Sequence, residues 1–202
     1  MDSNKIFVIG FQKTGTTSLE DALRYIGFTV YRGDKNLLKF NDSQQLKAYI
    51  LKTLKTWDCV QDMPWPIYYK ELHELYPKAK FILTVRDTDE WIKSVVKYFA
   101  SIRIPMMQKI YQVPCAEGHE SIYKKVYEKH NAEVMEYFKG NPNFLIMKQN
   151  LNFDYGTLCE FLEIKDCPET PFPYSRKNKQ NLSRYKIYRD IRSLYWNFKK
   201  KY

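Results

Sequence analysis

Near its start the chain reads Lys5-Ile-Phe-Val-Ile-Gly-Phe-Gln-Lys-Thr-Gly-Thr-Thr-Ser18, and the fold can be predicted outward from this stretch. Residues 6–9 form a short apolar run bounded by Gly10, which predicts a buried strand. Apolar residues then recur at helical spacing as far as Ile26, and Gly27 follows as a stop signal. A strand, a loop flanked by glycine and a helix N-terminus bring backbone N–H groups and the positive end of a helix dipole together. The stretch therefore predicts a phosphate site.

The loop differs from that of an ordinary nucleoside triphosphatase. The pattern G-x-x-x-x-G-K-[ST] places a lysine directly after the second glycine. Here Gly10 and Gly15 are both present, but Thr16 stands at that position and the lysine lies inside the loop as Lys13. We expect the loop to bind one phosphate through Gly15, Thr16, Thr17 and Ser18. The Lys13 cation would then lie beside the group that is bonded to this phosphate. A loop that only caps the helix is the alternative.

Apolar runs and helical stripes alternate along the rest of the chain. Strands are predicted at residues 28–31, 58–61, 80–85 and 143–147, and helices at residues 42–56, 66–76, 88–99, 122–138 and 155–162. Thr88 is predicted to cap the helix at 88–99. Residues 101–118 have no dominant period and are interpreted as a loop or lid. The alternation predicts an α/β fold of P-loop type, with three layers and a central parallel sheet of about five strands flanked by helices. We expect one domain over residues 1–202.

Polar residues follow three of the predicted strands. Besides the first loop, Asp62 follows the strand at 58–61, and Arg86 follows the strand at 80–85. Ligands of parallel sheets bind at the carboxyl ends of the strands, so these residues are expected at one edge. An arginine that only pairs with Asp87 or Asp89 at a helix start is the alternative for Arg86. His130 lies on the apolar stripe of its predicted helix and is interpreted as a core or edge histidine.

The Lys13 loop resembles the 5′-phosphosulfate loop of sulfotransferases, whose usual form is K-[ST]-G-T-T. The donor of that family is 3′-phosphoadenosine-5′-phosphosulfate (PAPS), and its product is PAP. The resemblance implies that Lys13 is catalytic and also contacts the donor. It implies further donor contacts through Thr14, Gly15, Thr16, Thr17 and Ser18. Arg86 and Ser94, eight residues apart, match the pair that binds the 3′-phosphate in the family.

Asp62-Met63-Pro64 resembles a third motif, the His-Leu-Pro of cytosolic sulfotransferases, whose histidine is the general base. The resemblance implies that Asp62 has this role, because a carboxylate can also accept a proton. A strand-end cap or a structural partner of Lys13 is the alternative for Asp62. Residues 155–164 and 171–173 are similar to the L-C-x-F-L-G and P-F-P stretches of a sulfotransferase-like family, so the likeness covers about residues 5–178.

The excess positive charge lies at the C-terminal end. The net charge is +10, and residues 176–201 carry ten Lys or Arg against one Asp. The G-x-x-G-x-x-K loop of cytosolic sulfotransferases is absent from this sequence. Arg176 and Lys177, with Lys179, could replace its phosphate contacts. A basic amphipathic helix is predicted at about residues 182–200. Either it only packs on the domain, or it turns a basic face toward the donor entrance or an anionic partner.

The four cysteines show no C-x-x-C pairing, and the three histidines are scattered, so neither a metal site nor a disulfide is expected. Cys59 and Cys159 lie in apolar runs and are predicted to be reduced core residues. No segment approaches the roughly 20 apolar residues of a membrane span. The first predicted strand follows Lys5 directly and leaves no room for a signal peptide, so we expect a cytoplasmic protein.

Together these features predict a sulfotransferase that moves a sulfuryl group from PAPS to a hydroxyl or amine without a metal. A nucleotide or small-molecule kinase with a variant P-loop is one rival function. A non-catalytic protein that binds nucleic acid or another anionic surface through its basic tail is the other. The sequence carries no readable code for the acceptor or the oligomeric state.

Overall fold

The computed structural model describes residues 5–174 and contains a sheet of five parallel strands. The strands are β1 (Ile6–Val8), β2 (Val30–Arg32), β3 (Cys59–Gln61), β4 (Lys80–Val85) and β5 (Phe144–Lys148). Their order across the sheet is β2-β3-β1-β4-β5, and every neighbouring pair is parallel. β1 therefore lies in the centre, and the phosphate loop leaves the middle of the sheet.

Seven α-helices within the described residues cover the two faces of the sheet. They are α1 (Thr16–Ile26), α2 (Ser43–Thr53), α3 (Tyr69–Leu75), α4 (Thr88–Phe99), α5 (Pro105–Tyr111), α6 (Glu120–Tyr137) and α7 (Tyr155–Leu162). Phe7 and Phe81 pack with buried residues of α2, α3 and α6 on one face. Ile6, Val8 and Ile82 pack with buried residues of α1 and α7 on the other. The predicted three-layer α/β fold is confirmed.

The predicted elements are found with shifted ends, and one interpretation was wrong. The strand predicted at residues 28–31 is β2, which begins at Val30. The helix predicted at 66–76 is a 3-10 helix, Trp65–Tyr68, followed by α3. Residues 101–118 are not an open loop or lid, because they contain α5 and bury Met107 and Tyr111. A helix of seven residues is too short to show a clear apolar period in the sequence.

Two local expectations also need correction. Asp87, rather than Thr88, is the N-cap of α4, and its carboxylate accepts hydrogen bonds from the amides of Asp89 and Glu90. Cys159 is not reduced, because it forms a disulfide with Cys167. The chain turns back after α7 and brings Cys167 against the helix, a tertiary contact that no cysteine spacing revealed. Cys59 is free and buried, as predicted.

Two further observations bear on the predictions for the whole chain. None of the helices between residues 5 and 174 is long and apolar enough to cross a bilayer. The basic helix predicted at about residues 182–200 lies outside the described residues.

Gly10 brings the backbone of β1 unusually close to β4. A Cβ atom at this position would lie 2.5 Å from the carbonyl oxygen of Thr84 and 2.7 Å from its amide nitrogen. It would also overlap the Thr84 hydroxyl. Since both neighbours are backbone atoms of a buried central strand, they cannot move aside locally. Any side chain at Gly10 must separate the phosphate loop from β4.

We expect Gly10→Ala to lower the free energy of unfolding by about 2 kcal/mol or more, as overpacking in a rigid core does. Urea denaturation measures the change from the transition midpoint at constant slope. Gly156→Ala in α7 is the control, because its Cβ would meet only the Asp154 carboxylate, at 3.3 Å, and no backbone atom. Equal destabilisation by the two substitutions would contradict this account of Gly10.

His130 is a core residue, as predicted. Its side chain is buried on α6, and its ring stacks on Phe11 with centroids 4.3 Å apart. Nε2 donates a hydrogen bond of 2.8 Å to the carbonyl oxygen of Ile9, which fixes the neutral tautomer. Burial lowers the pKa of His130 from 6.5 to about 4. The unfolded chain therefore takes up this proton first as the pH falls, and folding stability is lost from about pH 6.5 downward.

Between pH 7 and pH 5 this one group should cost about 2 kcal/mol of folding stability. Denaturant titrations at the two pH values measure the loss. His130→Phe keeps a ring against Phe11 but cannot titrate, so its loss over the same interval should be smaller by that amount. An unchanged pH dependence in His130→Phe would show that the destabilisation arises from other groups.

Candidate active site

The phosphate loop is shaped by two residues with positive φ. Lys13 has φ 69° and Gly15 has φ 100°, and Gly15 is the N-cap of α1. The amide of Leu19 donates to the Gly15 carbonyl and begins the helix. Thr16, Thr17 and Ser18 form the first turn of α1, the part of a helix whose backbone amides point toward a ligand at the N-terminus. The loop and the N-terminus of α1 thus meet at the carboxyl end of β1, where the sequence predicts a phosphate site.

Thr14 lies beneath the loop rather than in the cleft above it. Its side chain is fully buried, and its hydroxyl donates to the carbonyl of Phe11 at 2.6 Å. The same oxygen lies 2.6 Å from the hydroxyl of Thr84 on β4. Thr14 thus ties the loop to the sheet with its side chain, and only its backbone remains for the donor contact predicted at this position.

Lys13 extends over an aromatic ring at the edge of the same cleft. Its Nζ lies 4.1 Å from the ring centroid of Tyr98, on α4. A cation over the face of an aromatic ring is attracted by the ring quadrupole. Tyr98 therefore helps to keep the ammonium group beside the loop. The sequence analysis did not identify this aromatic partner.

Arg86 is fixed by buried contacts that also reach the phosphate loop. The hydroxyl of Tyr127 accepts from the Arg86 amide at 3.0 Å and donates to its carbonyl at 2.9 Å. Burial raises the pKa of Tyr127, so this hydroxyl stays protonated and can donate. The ring of Tyr127 stacks on Trp91 with centroids 4.1 Å apart, and Trp91 Nε1 donates to the carbonyl of Gln12 at 2.8 Å. Through these contacts Arg86 has a fixed place relative to Lys13.

The side chain of Arg86 lies about one quarter exposed at the cleft, with one guanidinium nitrogen 3.5 Å from Glu90. Arg86 forms its ion pair with Glu90 rather than with Asp87 or Asp89. Asp87 instead caps α4, and Asp89 pairs with Lys124. Ser94, on α4, lines the cleft with Arg86, as the predicted pair requires.

Asp62 follows β3 with φ 67°, and its carboxylate is held on both sides. Oδ1 accepts a hydrogen bond of 2.9 Å from the amide of Met63. Oδ2 lies 3.5 Å from an Nη2 of Arg32, which ends β2. The cation that pairs with Asp62 is therefore Arg32, whereas the alternative drawn from the sequence named Lys13.

One cleft of about 950 Å³ collects the predicted residues at the carboxyl ends of the strands. Lining residues predicted from the sequence are Lys13, Gly15, Thr16, Thr17, Ser18, Asp62, Arg86 and Ser94. Because β1 is central, Arg32 and Asp62 lie on one side of the phosphate loop, and Arg86 and the segment after β5 lie on the other. Arg176 and Lys177 lie outside the described residues.

Aromatic residues at the β5 side of the cleft were also missed. Phe153 lies over the phosphate loop, since a Cβ at Gly15 would come within 2.8 Å of its ring. Phe172 contacts Phe153 with ring centroids 5.4 Å apart, and Tyr174 lines the cleft beside it. The rule that ligands bind beyond strand ends would have found Phe153 after β5 and Arg32 at the end of β2, had it been applied to all five strands.

No group of three or more His, Cys, Asp or Glu residues between residues 5 and 174 is arranged to hold a metal ion. Positive charge in the cleft comes from Lys13, Arg32 and Arg86. The cleft is thus suited to a ligand that carries more than one anionic group.

Comparison with known proteins agrees with this geometry. Residues 5–113 and 99–181 match the family described as "Sulfotransferase domain". The chain is also similar to "Ava biosynthesis cluster protein M" of Aspergillus versicolor, with 24% identity over 237 aligned positions. That alignment covers 95% of this chain and 86% of the relative. The family match extends over most of the chain and includes the phosphate loop, Asp62, Arg86 and Ser94. The chain therefore belongs to the sulfotransferase-domain family.

Proposed function

We propose that the protein transfers a sulfuryl group from PAPS to a hydroxyl or amine of a small molecule. The observation that carries the proposal is that two separate sets of groups suited to anions line one cleft. In the proposal, the first turn of α1 and Lys13 bind one anionic group of the donor, and Arg86 and Ser94 bind the other. PAPS carries a 5′-phosphosulfate and a 3′-phosphate, whereas a nucleoside triphosphate has its anionic groups in one chain.

The properties of the cleft are compatible with a donor of this size. Its volume of about 950 Å³ is large enough for a nucleotide and part of an acceptor. Phe153, Phe172 and Tyr174 offer aromatic surface on the β5 side, where an adenine base can pack. The acceptor then approaches from the other side of the loop, where Asp62 lies.

In the proposed reaction the acceptor oxygen or nitrogen forms a bond to sulfur. The bond between sulfur and the bridging oxygen of the donor breaks, and PAP leaves. Lys13 neutralises the negative charge that develops on that bridging oxygen. Asp62 takes the proton that the acceptor loses. Arg86 and Ser94 hold the 3′-phosphate and thereby place the donor.

The name of the fungal relative refers to a biosynthesis cluster. A small-molecule acceptor for the present chain is in keeping with that name. Neither the kinase nor the nucleic-acid alternative is favoured by an observation of its own, and both remain as outcomes of the ligand test below.

PAP should raise the melting temperature far more than AMP, which differs from it only by lacking the 3′-phosphate. At a concentration a hundredfold above its dissociation constant, PAP should stabilise the fold by about 2.7 kcal/mol. Arg86→Gln should reduce the effect of PAP to that of AMP. Lys93→Gln is the control, because it removes an exposed cation that also contacts Glu90. Equal stabilisation by PAP, AMP and ATP would contradict the proposal, and stabilisation by ATP or an oligonucleotide alone would favour one of the rivals.

Lys13→Ala should lower the turnover number by about 10²-fold or more while PAP affinity changes much less, because Lys13 acts on charge that appears in the transition state. Turnover is measured as PAP formed from PAPS, and affinity by calorimetry. Lys97→Ala, an exposed cation on α4, is the control and should behave like the wild type. Near-normal turnover in Lys13→Ala would remove Lys13 from the mechanism.

A further inference from the structure

Glu20 is a buried carboxylate at the back of the candidate active site. It lies on α1, and its side chain is 8% exposed. A buried carboxylate is costly unless it is paired and hydrogen-bonded. Glu20 has three such partners. Arg24 Nε lies 3.0 Å from Oε1, Arg32 Nε lies 3.1 Å from Oε2, and Gln61 Nε2 donates to Oε2 at 2.7 Å.

The ion pair with Glu20 sets the orientation of Arg32. Because Nε of its planar guanidinium faces Glu20, the Nη2 of the same group is directed to Oδ2 of Asp62. Arg32 thus bridges two carboxylates, one at the back of the site and one in the cleft. Gln61 strengthens the arrangement, since it is fully buried on β3 next to Asp62 and binds the same oxygen of Glu20.

The consequence for Asp62 is that both of its oxygens have fixed neighbours. The Met63 amide binds Oδ1 and Arg32 approaches Oδ2, so the carboxylate plane has one preferred orientation. The charged groups linked to it are Arg32 from β2 and, behind Arg32, Glu20 from α1, and Lys13 of the phosphate loop lines the same cleft. A general base is effective only when its oxygen lies within hydrogen-bond reach of the proton that it removes. An aspartate free to rotate would spend part of its time turned away from the acceptor.

We propose that Arg32, held by Glu20, is a positioning residue that orients the Asp62 carboxylate toward the acceptor. This inference rests on the proposed function. It concerns the β2–β3 side of the cleft, whereas donor binding is assigned to the other side. Glu20 and Arg32 act through Asp62 and touch neither reacting atom.

The test measures the release of inorganic sulfate from PAPS, with water as the acceptor, so that no other acceptor need be known. We expect Arg32→Gln to lower the rate at saturating PAPS by tenfold or more. The KM for PAPS and the affinity for PAP should stay within twofold of the wild type, since Arg32 is not in the donor half. Arg32→Lys should recover part of the rate, because an ammonium group can reach one carboxylate but cannot bridge both.

Arg24→Gln is the matched control. Arg24 binds the other oxygen of Glu20 at 3.0 Å, and its guanidinium also contacts the carbonyl of Val30 rather than Asp62. Its removal should therefore leave the rate within twofold of the wild type. Melting temperatures and PAP binding of every variant show whether it folds, and Glu20→Gln should lower the rate less than Arg32→Gln does.

A double-mutant cycle separates positioning from a role in folding or in acceptor binding. If Arg32 acts through Asp62, Arg32→Gln should cause no further loss in an Asp62→Asn background. Additive losses of rate, or an Asp62→Asn variant with the wild-type rate, would overturn the inference. Neither result would contradict the donor binding and sulfuryl transfer of the proposed function. A wild-type protein that neither binds PAP nor releases sulfate would overturn the proposed function, whereas PAP binding with sulfate release that does not depend on Arg32 would overturn only this inference.

Discussion

The close approach of Gly10 to Thr84 is the contact on which the geometry of the cleft depends. The loop after β1 lies so close to the end of β4 that there is no room for a side chain at position 10. The shared hydrogen bond between the hydroxyls of Thr14 and Thr84 holds the loop at the same place from below. Arg86 follows β4 directly, and Lys13 lies in the loop that these contacts hold against β4, so the sheet largely sets their separation. Rigid strands position a binding site more accurately than loops do.

A second set of contacts links Arg86 to the phosphate loop. The Tyr127 hydroxyl accepts from the Arg86 amide and donates to the Arg86 carbonyl. The ring of Tyr127 stacks on Trp91, whose Nε1 donates to the carbonyl of Gln12. The three residues come from α6, α4 and the phosphate loop, and the two aromatic rings are buried. Large aromatic side chains with one satisfied polar atom are well suited to such a role, because they fill space and also fix a direction.

The features that could be predicted from the sequence are those encoded within a few neighbouring residues. The strand, loop and helix around Lys13 are contiguous, and α7 was predicted with its observed bounds. α5 was missed because its burial depends on Tyr111 packing against α6, which the spacing of residues 101–118 does not reveal. The ion pairs of Arg32 and the disulfide of Cys159 could not be predicted for the same reason, since their partners come from distant or returning segments. Asp62 could be predicted by position, but its ion pair could not.

The central place of β1 divides the cleft between separate parts of the chain. Residues 28–66 supply Arg32 and Asp62, whereas residues 80–99 and 149–174 supply Arg86, Ser94 and the aromatic residues. The two parts lie on opposite sides of the phosphate loop. Under the proposed function, evolution can therefore remodel the acceptor side without rebuilding the donor side. A lineage that changes what it sulfates can keep its means of activating sulfate, and one scaffold can then serve a succession of unrelated metabolites.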